Sequence, residues 1–309
     1  MDRLDAMAIF LAAVETGSLS AAGRRTGTPL ATVSRKISEL EAHLKTALLT
    51  RSTRKLALTD AGRSYVAACK RILEEVGEAE RTASGEYSAP KGDLVVTAPI
   101  VFGRLHVLPV VTEFLAAYKD IDIRLTLSDR YVNLFEDHVD LAIRIGALPD
   151  SSLIATVIGT VRMVVCASPA YLALRGTPAR PEQLSAHDCV TSERLMPSDR
   201  WIFPLGKRDL SVPIHSRLVV DTAEAATDAA VSGLGITRLA SYQVVAAVRS
   251  KQLEVILDAF EPPPSPVSFV HAGGRLLPQK LRAFLDFATP CLKARLAASA
   301  LDSRGPGTL

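Results

Sequence analysis

The side chains best suited to binding chemistry lie between residues 20 and 58, where the positive charge of the chain is concentrated. Eight basic and two acidic residues fall in this segment, although the formal net charge of all 309 residues is only +3. The segment therefore carries +6 and the rest of the chain −3. A concentrated basic segment on a nearly neutral protein is typical of a surface that binds phosphate groups.

Motifs for catalysis and metal binding are not supported by their spacing. His187-Asp188-Cys189 contains residue types of catalytic sites, but adjacent side chains cannot all converge on one substrate. Gly233-Leu234-Gly235 has Arg238 where the third glycine of a dinucleotide fingerprint would stand. Ser168 lacks the glycine frame of a nucleophile elbow, and the six histidines form no zinc-protease motif. We therefore expect no catalytic residue, no metal site and no cofactor.

A helix-turn-helix is the arrangement that would present the basic segment to DNA. Apolar residues recur with helical spacing in two blocks before residue 45, and a short helix over residues 20–25 is predicted between them. Ser18 can cap the second predicted helix, and Gly27 makes the turn that follows it. We expect Thr28 to cap the third helix, with Pro29 at its first position, where the missing N–H of proline does no harm.

The face of this third helix opposite its apolar stripe carries small polar side chains and one arginine. Such a face permits close approach to the major groove, where arginine can bind guanine or phosphate. Residues 48–51 and 55–58 then predict a hairpin with a cationic tip, a wing for phosphates or the minor groove. The alternative is a three-helix bundle with a solvated polar face, and the wing favours DNA binding. The predicted DNA-binding residues are Ser18, Ser20, Thr28, Ala31, Thr32, Ser34, Arg35, Lys36, Arg51, Thr53 and Arg54.

A long helix is predicted to begin at Thr59-Asp60 and to run to about Ser84. Its apolar positions step by four and three residues for nearly three heptads, which is the seam of a coiled coil. The seam either packs on its own domain or joins two chains. We expect dimerisation, because a helix projecting from a sixty-residue domain must bury its apolar stripe. The predicted dimerisation residues are Tyr65, Cys69, Ile72 and Val76.

From about residue 90, strand-like and helix-like segments alternate, which predicts α/β layers around a mostly parallel sheet. Over essentially its whole length the chain resembles the LysR-type transcriptional regulators. The motifs that carry this resemblance are Thr16-Gly17-Ser18-Leu19-Ser20-Ala21-Ala22, Thr32-Val33-Ser34-Arg35-Lys36-Ile37, Leu48-Leu49-Thr50-Arg51, Asp140-Leu141-Ala142-Ile143-Arg144-Ile145-Gly146 and Gly233-Leu234-Gly235-Ile236. The chain departs from the usual family residues at Thr26, Pro29, Lys119, Asn133 and Ala240.

The resemblance implies a winged helix-turn-helix over residues 1–60, a dimerising linker helix over 61–88 and an effector-binding domain over 89–302. This last domain is similar to periplasmic binding proteins, with two α/β lobes and a ligand cleft between them. Lobe one would comprise residues 91–162 and 267–296, and lobe two residues 163–266. The family also pairs its dimers into tetramers and bends DNA.

Ligands bind α/β sheets at loops that follow the strands, so the effector residues are expected there. Free N–H groups at the helix that starts near Ile100 are expected to bind an anion. The predicted effector-binding residues are Ala98, Pro99, Ile100, Phe102, Ser128, Gly146, Thr191, Asp221, Thr222 and Gly235.

The expected partners are double-stranded DNA, a small-molecule effector and further copies of the chain. We expect a cytoplasmic protein with four reduced cysteines, since these are scattered, no export signal begins the chain, and no run reaches the ~18 apolar residues of a membrane span. The alternative is a solute-binding protein or small-molecule enzyme on the two-lobed fold. The missing export signal and the intact basic winged segment oppose it.

Overall fold

The structure, a computed structural model, divides the chain into two compact units, Met1–Gly92 and Asp93–Leu309. Each unit is described by itself. The residues that the structure describes are 2–51, 56–83, 89–130, 133–134, 137–149, 152–192, 199–206, 208–273 and 277–301.

The first unit is a three-helix bundle followed by a short hairpin and a long helix. Gly17 and Gly27 end the first two helices in the left-handed conformation, with φ of 65° and 64°. Ser18 caps the second helix, because its Oγ accepts the Ala21 N–H at 3.4 Å. The elements are α1 (Arg3–Thr16), α2 (Leu19–Thr26), α3 (Leu30–Leu44), β1 (Leu49–Arg51), β2 (Leu56–Leu58) and α4 (Asp60–Ala83).

The start of α3 differs from the prediction. Pro29, not Thr28, occupies the N-cap position, and no side chain caps the helix. The ψ angle of Pro29 is 141°, so the backbone is still extended there and the helix begins at Leu30. The Thr28 hydroxyl donates instead to the Thr26 carbonyl at 3.3 Å, back toward α2. The expectation that Thr28 caps α3 was therefore wrong.

The long helix α4 lies against the end of the bundle at very short range. Thr59 caps it, since the Thr59 Oγ1 accepts the Gly62 N–H at 2.9 Å. A Cβ atom on Gly62 would lie 2.1 Å from the Leu48 carbonyl oxygen, so only glycine permits this approach. The Glu41 carboxylate accepts the N–H groups of Leu48 and Leu49 at 2.8 and 3.0 Å, which fixes the turn from α3 into β1.

The second unit contains two five-stranded sheets, one in each of two lobes. The first sheet has the order β4-β3-β5-β14-β6 and the second the order β11-β8-β12-β7-β13, with a separate hairpin of β9 and β10. The strands are β3 (Gly92–Ala98), β4 (Ile121–Leu127), β5 (Leu141–Ile145), β6 (Leu153–Val161), β7 (Met163–Ala167), β8 (Asp188–Ser192), β9 (Arg200–Leu205), β10 (Arg208–Pro213), β11 (His215–Val220), β12 (Ile236–Ala240), β13 (Glu254–Ile256) and β14 (Ser265–Ala272).

Both sheets are mixed, whereas the sequence predicted mostly parallel strands. β3 runs parallel to β5, and β8 parallel to β11 and β12. The strands next to the passages between the lobes, β6, β7 and β14, pair antiparallel. The helices are α5 (Ile100–Phe102), α6 (Leu108–Ala117), α7 (Pro169–Arg175), α8 (Ala223–Val231), α9 (Ser241–Arg249) and α10 (Gln279–Ala298), with a π turn at Gly103–Val107 joining α5 to α6.

In the described parts of the chain, Ile100–Ala117 is the one helix long and apolar enough to cross a membrane, a stretch that we did not expect from the sequence. Its apolar side chains Phe102, Val110 and Phe114 are buried in the core of the lobes, which accounts for the composition. Buried core helices commonly meet the same criterion of length and apolar composition. All four cysteines are described and carry free thiols, three of them buried.

The passages between the lobes are joined by an ion pair. Arg162 lies between β6 and β7, and Glu261 lies on the return passage before β14. The Arg162 guanidinium donates to both Glu261 carboxylate oxygens at 2.7 and 2.8 Å, and also to the Leu301 carbonyl at 2.9 Å. This pairing raises the pKa of Arg162, so the guanidinium is charged throughout the physiological range.

Candidate DNA-binding surface and effector cleft

The first turns of α3 present a surface of small side chains. Ala31 is exposed, and Thr32 and Ser34 are half-buried beside it. Because Pro29 has no N–H and no side chain caps the helix, the amides of the first turn are not taken by a cap. These features suit a helix that lies close to a phosphate or a base edge.

The two basic residues predicted on α3 differ in position. Arg35 is exposed and pairs with Glu39 one turn later, at 3.0 Å. Such exposed i,i+4 pairs are weak, so Arg35 can exchange Glu39 for a nucleic acid. Lys36 instead forms an ion pair with Asp5 of α1 and is only 26% exposed. Lys36 borders the apolar stripe and joins α3 to α1, which disfavours it as a DNA contact relative to Arg35.

The remaining predicted DNA-binding residues lie around α2 and the wing. Ser18 caps α2, Ser20 is exposed, and Thr28 is half-buried at the turn. β1 and β2 pair antiparallel with Arg51 opposite Leu56, which is the predicted hairpin. Thr53 and Arg54 lie outside the described residues, as does the side chain of Arg51.

Half of the predicted dimerisation seam is used inside the unit. Cys69 is fully buried in the core of the bundle, and the Tyr65 ring lies 5.8 Å from that of Phe10. Burial raises the pKa of the Cys69 thiol to about 11. Cys69 is therefore removed from any surface that a second chain could reach, and Tyr65 packs on its own domain. Ile72 and Val76, one and two turns further along, are half-buried.

The predicted effector residues divide into accessible and buried sets. Pro99, Ile100, Ser128 and Gly146 are half-buried, and Asp221 and Thr222 are exposed. Thr222 already caps α8, since its Oγ1 accepts the Ala225 N–H at 3.3 Å. The Ser128 Oγ likewise accepts the Arg130 N–H at 3.1 Å.

The four other predicted residues are buried in the core, which disfavours them as direct ligand contacts. Ala98, the last residue of β3, and Phe102, the last residue of α5, are fully buried. Thr191 is buried and its hydroxyl bonds to that of Ser216 at 3.0 Å. A Cβ on Gly235 would lie 2.4 Å from the Asp188 carbonyl oxygen, so this glycine permits two strands to approach. Strand-end position alone did not distinguish such core residues from surface ones.

The expected anion site at Ile100 is already occupied by a carboxylate of the chain itself. The Asp129 Oδ1 accepts the Ile100 N–H at 3.0 Å. Asp129 is exposed, so its negative charge faces the same space that a ligand would enter. A second anion would be repelled there, and the expectation of an anion-binding helix start was wrong.

Contacts between the lobes involve residues that the sequence did not single out. Arg104 of lobe one lies 3.5 Å from Glu224 on α8, and the Phe102 ring meets the Tyr242 ring edge-on at 5.4 Å. Burial, with the carboxylates of Asp129 and Glu224, raises the pKa of Tyr242, which therefore stays protonated. The cleft is thus bordered by an aromatic contact and by acidic side chains. In the described segments no three His, Cys, Asp or Glu side chains are grouped as metal ligands.

Comparison with known proteins agrees with this geometry. The LysR substrate binding domain matches residues 88–290, and the bacterial regulatory helix-turn-helix of the lysR family matches residues 4–63. The chain belongs to the LysR family. It is a DNA-binding transcriptional regulator that responds to an effector. This LysR-type regulator is similar to an HTH-type transcriptional regulator of Xanthomonas campestris pv. campestris, at 36% identity over 90% of this chain and 82% of that one.

Two further similarities cover nearly the whole chain. An HTH-type transcriptional repressor of Pseudomonas aeruginosa is 36% identical over 93% of this regulator and 91% of its own length. The solved structure of CrgA, a LysR-type transcriptional regulator from Neisseria meningitidis, is 31% identical, with a TM-score of 0.59 over 93% of this chain and 98% of that one. The winged helix-turn-helix followed by a two-lobed α/β domain is therefore the architecture of the family.

Proposed function

We propose that this regulator acts in the bacterial cytoplasm as a homodimer, paired into a tetramer, without catalysis. Residues 1–60 would bind DNA, 61–88 would join the chains and 89–302 would bind the effector. The observation that carries the DNA-binding assignment is the uncapped, small-residue start of α3 next to exposed Arg35. Two such helices in a dimer would read the two halves of a pseudo-palindromic operator.

The DNA contacts are tested by binding to a duplex from the upstream intergenic region at several salt concentrations. Arg35→Ala is expected to relax base preference by roughly 1–3 kcal/mol at one position if the contact is bidentate, or to lower the salt slope by about one if it meets phosphate. Lys36→Met is the matched control, because Lys36 pairs with Asp5. Equal effects of the two variants on DNA binding would contradict the assignment.

The dimer contact is proposed for the part of α4 beyond the bundle, centred on Ile72 and Val76. A charge there would be desolvated on dimerisation without a partner, so Ile72→Asp is expected to give a monomer in sedimentation. Arg71→Asp, a charge change at an exposed neighbouring position, is the control. A monomeric wild type at tens of micromolar would refute the seam.

The effector is proposed to enter between the lobes at Pro99, Ile100, Ser128, Gly146, Asp221 and Thr222. Because Asp129 holds the Ile100 N–H, the group that meets this helix start would be a cation or a neutral hydrogen-bond donor. A thermal-shift screen of the full chain with amines, amides and carboxylates tests this. Asp129→Asn keeps an acceptor for Ile100 and should abolish the response to amines, whereas Asp122→Asn on β4 should not. A response to carboxylates alone would overturn the ligand class.

A further inference from the structure

The recognition helix begins with a large apolar side chain that the described residues of its own unit leave half exposed. Leu30, the first residue of α3, is 50% exposed. Among the described residues of the N-terminal unit, the other exposed large apolar side chain is Leu4, at 39%. Leu30 is not among the residues packed on the bundle core. Burying such a side chain is favourable, so a leucine at the start of a DNA-binding helix is suited to contact an apolar group of the DNA.

The placement of Leu30 follows from the turn that precedes it. A Cβ on Gly23 would lie 2.6 Å from the Thr28 carbonyl oxygen, so glycine lets the turn close tightly on α2. The Thr28 N–H donates to the Gly23 carbonyl at 2.9 Å. Pro29 then holds the backbone extended with φ of −56°. Leu30 is therefore presented on a rigid, preorganised helix start, beside exposed Ala31.

Leucine at this position cannot bond to a phosphate or to the polar edge of a base. The apolar group that DNA presents in the major groove is the C5-methyl of thymine. We propose that Leu30 determines specificity by packing against a thymine methyl in each half-site, an inference that rests on the proposed DNA-binding surface. Arg35, five residues further along the helix, would supply a polar contact, so the two residues would read different features of the operator.

The test compares thymine with deoxyuridine, which lacks only the methyl. Duplexes are first selected from a random library with the full-length wild-type chain. Each thymine of a selected duplex is then replaced singly by deoxyuridine, and Kd is measured by fluorescence anisotropy at fixed salt. At one thymine per half-site we expect wild-type binding to weaken about fourfold, the value for one buried methyl-sized group.

Leu30→Ala should bind the thymine duplex about fourfold or more weakly and lose sensitivity to that single replacement. Leu30→Met keeps the apolar volume and should keep the sensitivity, which also controls for folding. Leu4→Ala, the same truncation at the other exposed leucine, should behave as wild type. If Leu30→Ala retains full sensitivity at every thymine, or wild type has none, Leu30 does not read a methyl. If wild type selects no sequence at all, the proposed sequence-specific function itself fails, and this inference with it.

Discussion

The ion pair between the two passages of the effector-binding unit gives a prediction with a calculable size. Glu261→Gln removes the negative charge that faces the Arg162 guanidinium and leaves only one oxygen to accept two former bonds. The Arg162 side chain is 21% exposed and that of Glu261 10%. The Arg162 guanidinium would keep its bond to the Leu301 carbonyl but lose its carboxylate partner, in a site that water reaches only in part.

The size follows from where this pair lies between two limits. Removing one partner of a fully buried pair costs about 3–5 kcal/mol, and exposed pairs contribute about 1 kcal/mol or less. The bidentate geometry and low exposure bring this pair near the first limit. We therefore expect Glu261→Gln to lower the free energy of unfolding by about 2–4 kcal/mol. At an m-value of about 2–3 kcal/mol per M, the urea midpoint should fall by about 1 M.

The sequence contains one tryptophan, Trp201, which lies in β9 of the same unit and is buried, so its fluorescence reports unfolding directly. The matched control is Glu113→Gln, because Glu113 pairs with Arg295 at 3.4 Å and the two side chains are 56% and 36% exposed. That variant should change stability by less than about 1 kcal/mol. The double variant Arg162→Met/Glu261→Met should lose less free energy of unfolding than the sum of the losses of Arg162→Met and Glu261→Met measured singly. A Glu261→Gln loss no larger than that of Glu113→Gln would refute the reasoning.

Three further outcomes are expected. Gly62→Ala should destabilise the N-terminal unit by about 1–3 kcal/mol in circular-dichroism melts, because the new Cβ would overlap the Leu48 carbonyl, and an unchanged melt would contradict that contact. Burial, and secondarily Arg295, lowers the pKa of His106, so below about pH 6.5 the unfolded chain binds a proton that the folded chain does not, and the stability of the fold decreases as the pH drops. His106→Phe should therefore lessen the loss of thermal stability between pH 7 and 5. A variant with the same pH dependence as wild type would contradict this role of His106. Burial raises the pKa of Cys189 to about 12, so iodoacetamide at pH 8 should label half-buried Cys291 first and Cys189 only in urea, and rapid native labelling of Cys189 would show the thiol to be accessible.

Local features of the fold could be read from the sequence because they depend on neighbours along the chain. Gly17 and Gly27 end helices through a conformation that glycine adopts readily, and Ser18 and Thr59 cap helices through bonds three residues long. The heptad steps of α4 likewise predicted its length. The prediction failed at Thr28, because the next residue, Pro29, keeps the backbone extended and the helix begins one residue later than expected.

The contacts at the candidate sites that the sequence could not predict join distant segments. Lys36 finds Asp5, 31 residues away, and Ile100 finds Asp129, 29 residues away. Periodicity identifies which face of an element is apolar, but it carries no information on which charge stands opposite. Cys69 illustrates the same limit. The first part of the heptad seam, Tyr65 and Cys69, belongs to the core of the N-terminal unit, whereas Ile72 and Val76 do not.

That division of α4 bears on how an effector can act on DNA. The first turns of α4 are packed into the same core as α3 through Tyr65 and Cys69, so both helices belong to one rigid unit. If chains join through Ile72 and Val76 on that same helix, the dimer contact fixes the separation and angle of the two recognition helices. An effector has no influence on operator binding unless it favours one arrangement of those units over another. In such a dimer the coupling would pass through the relation between the two α4 helices, because moving α3 against α4 would open the core that buries Cys69.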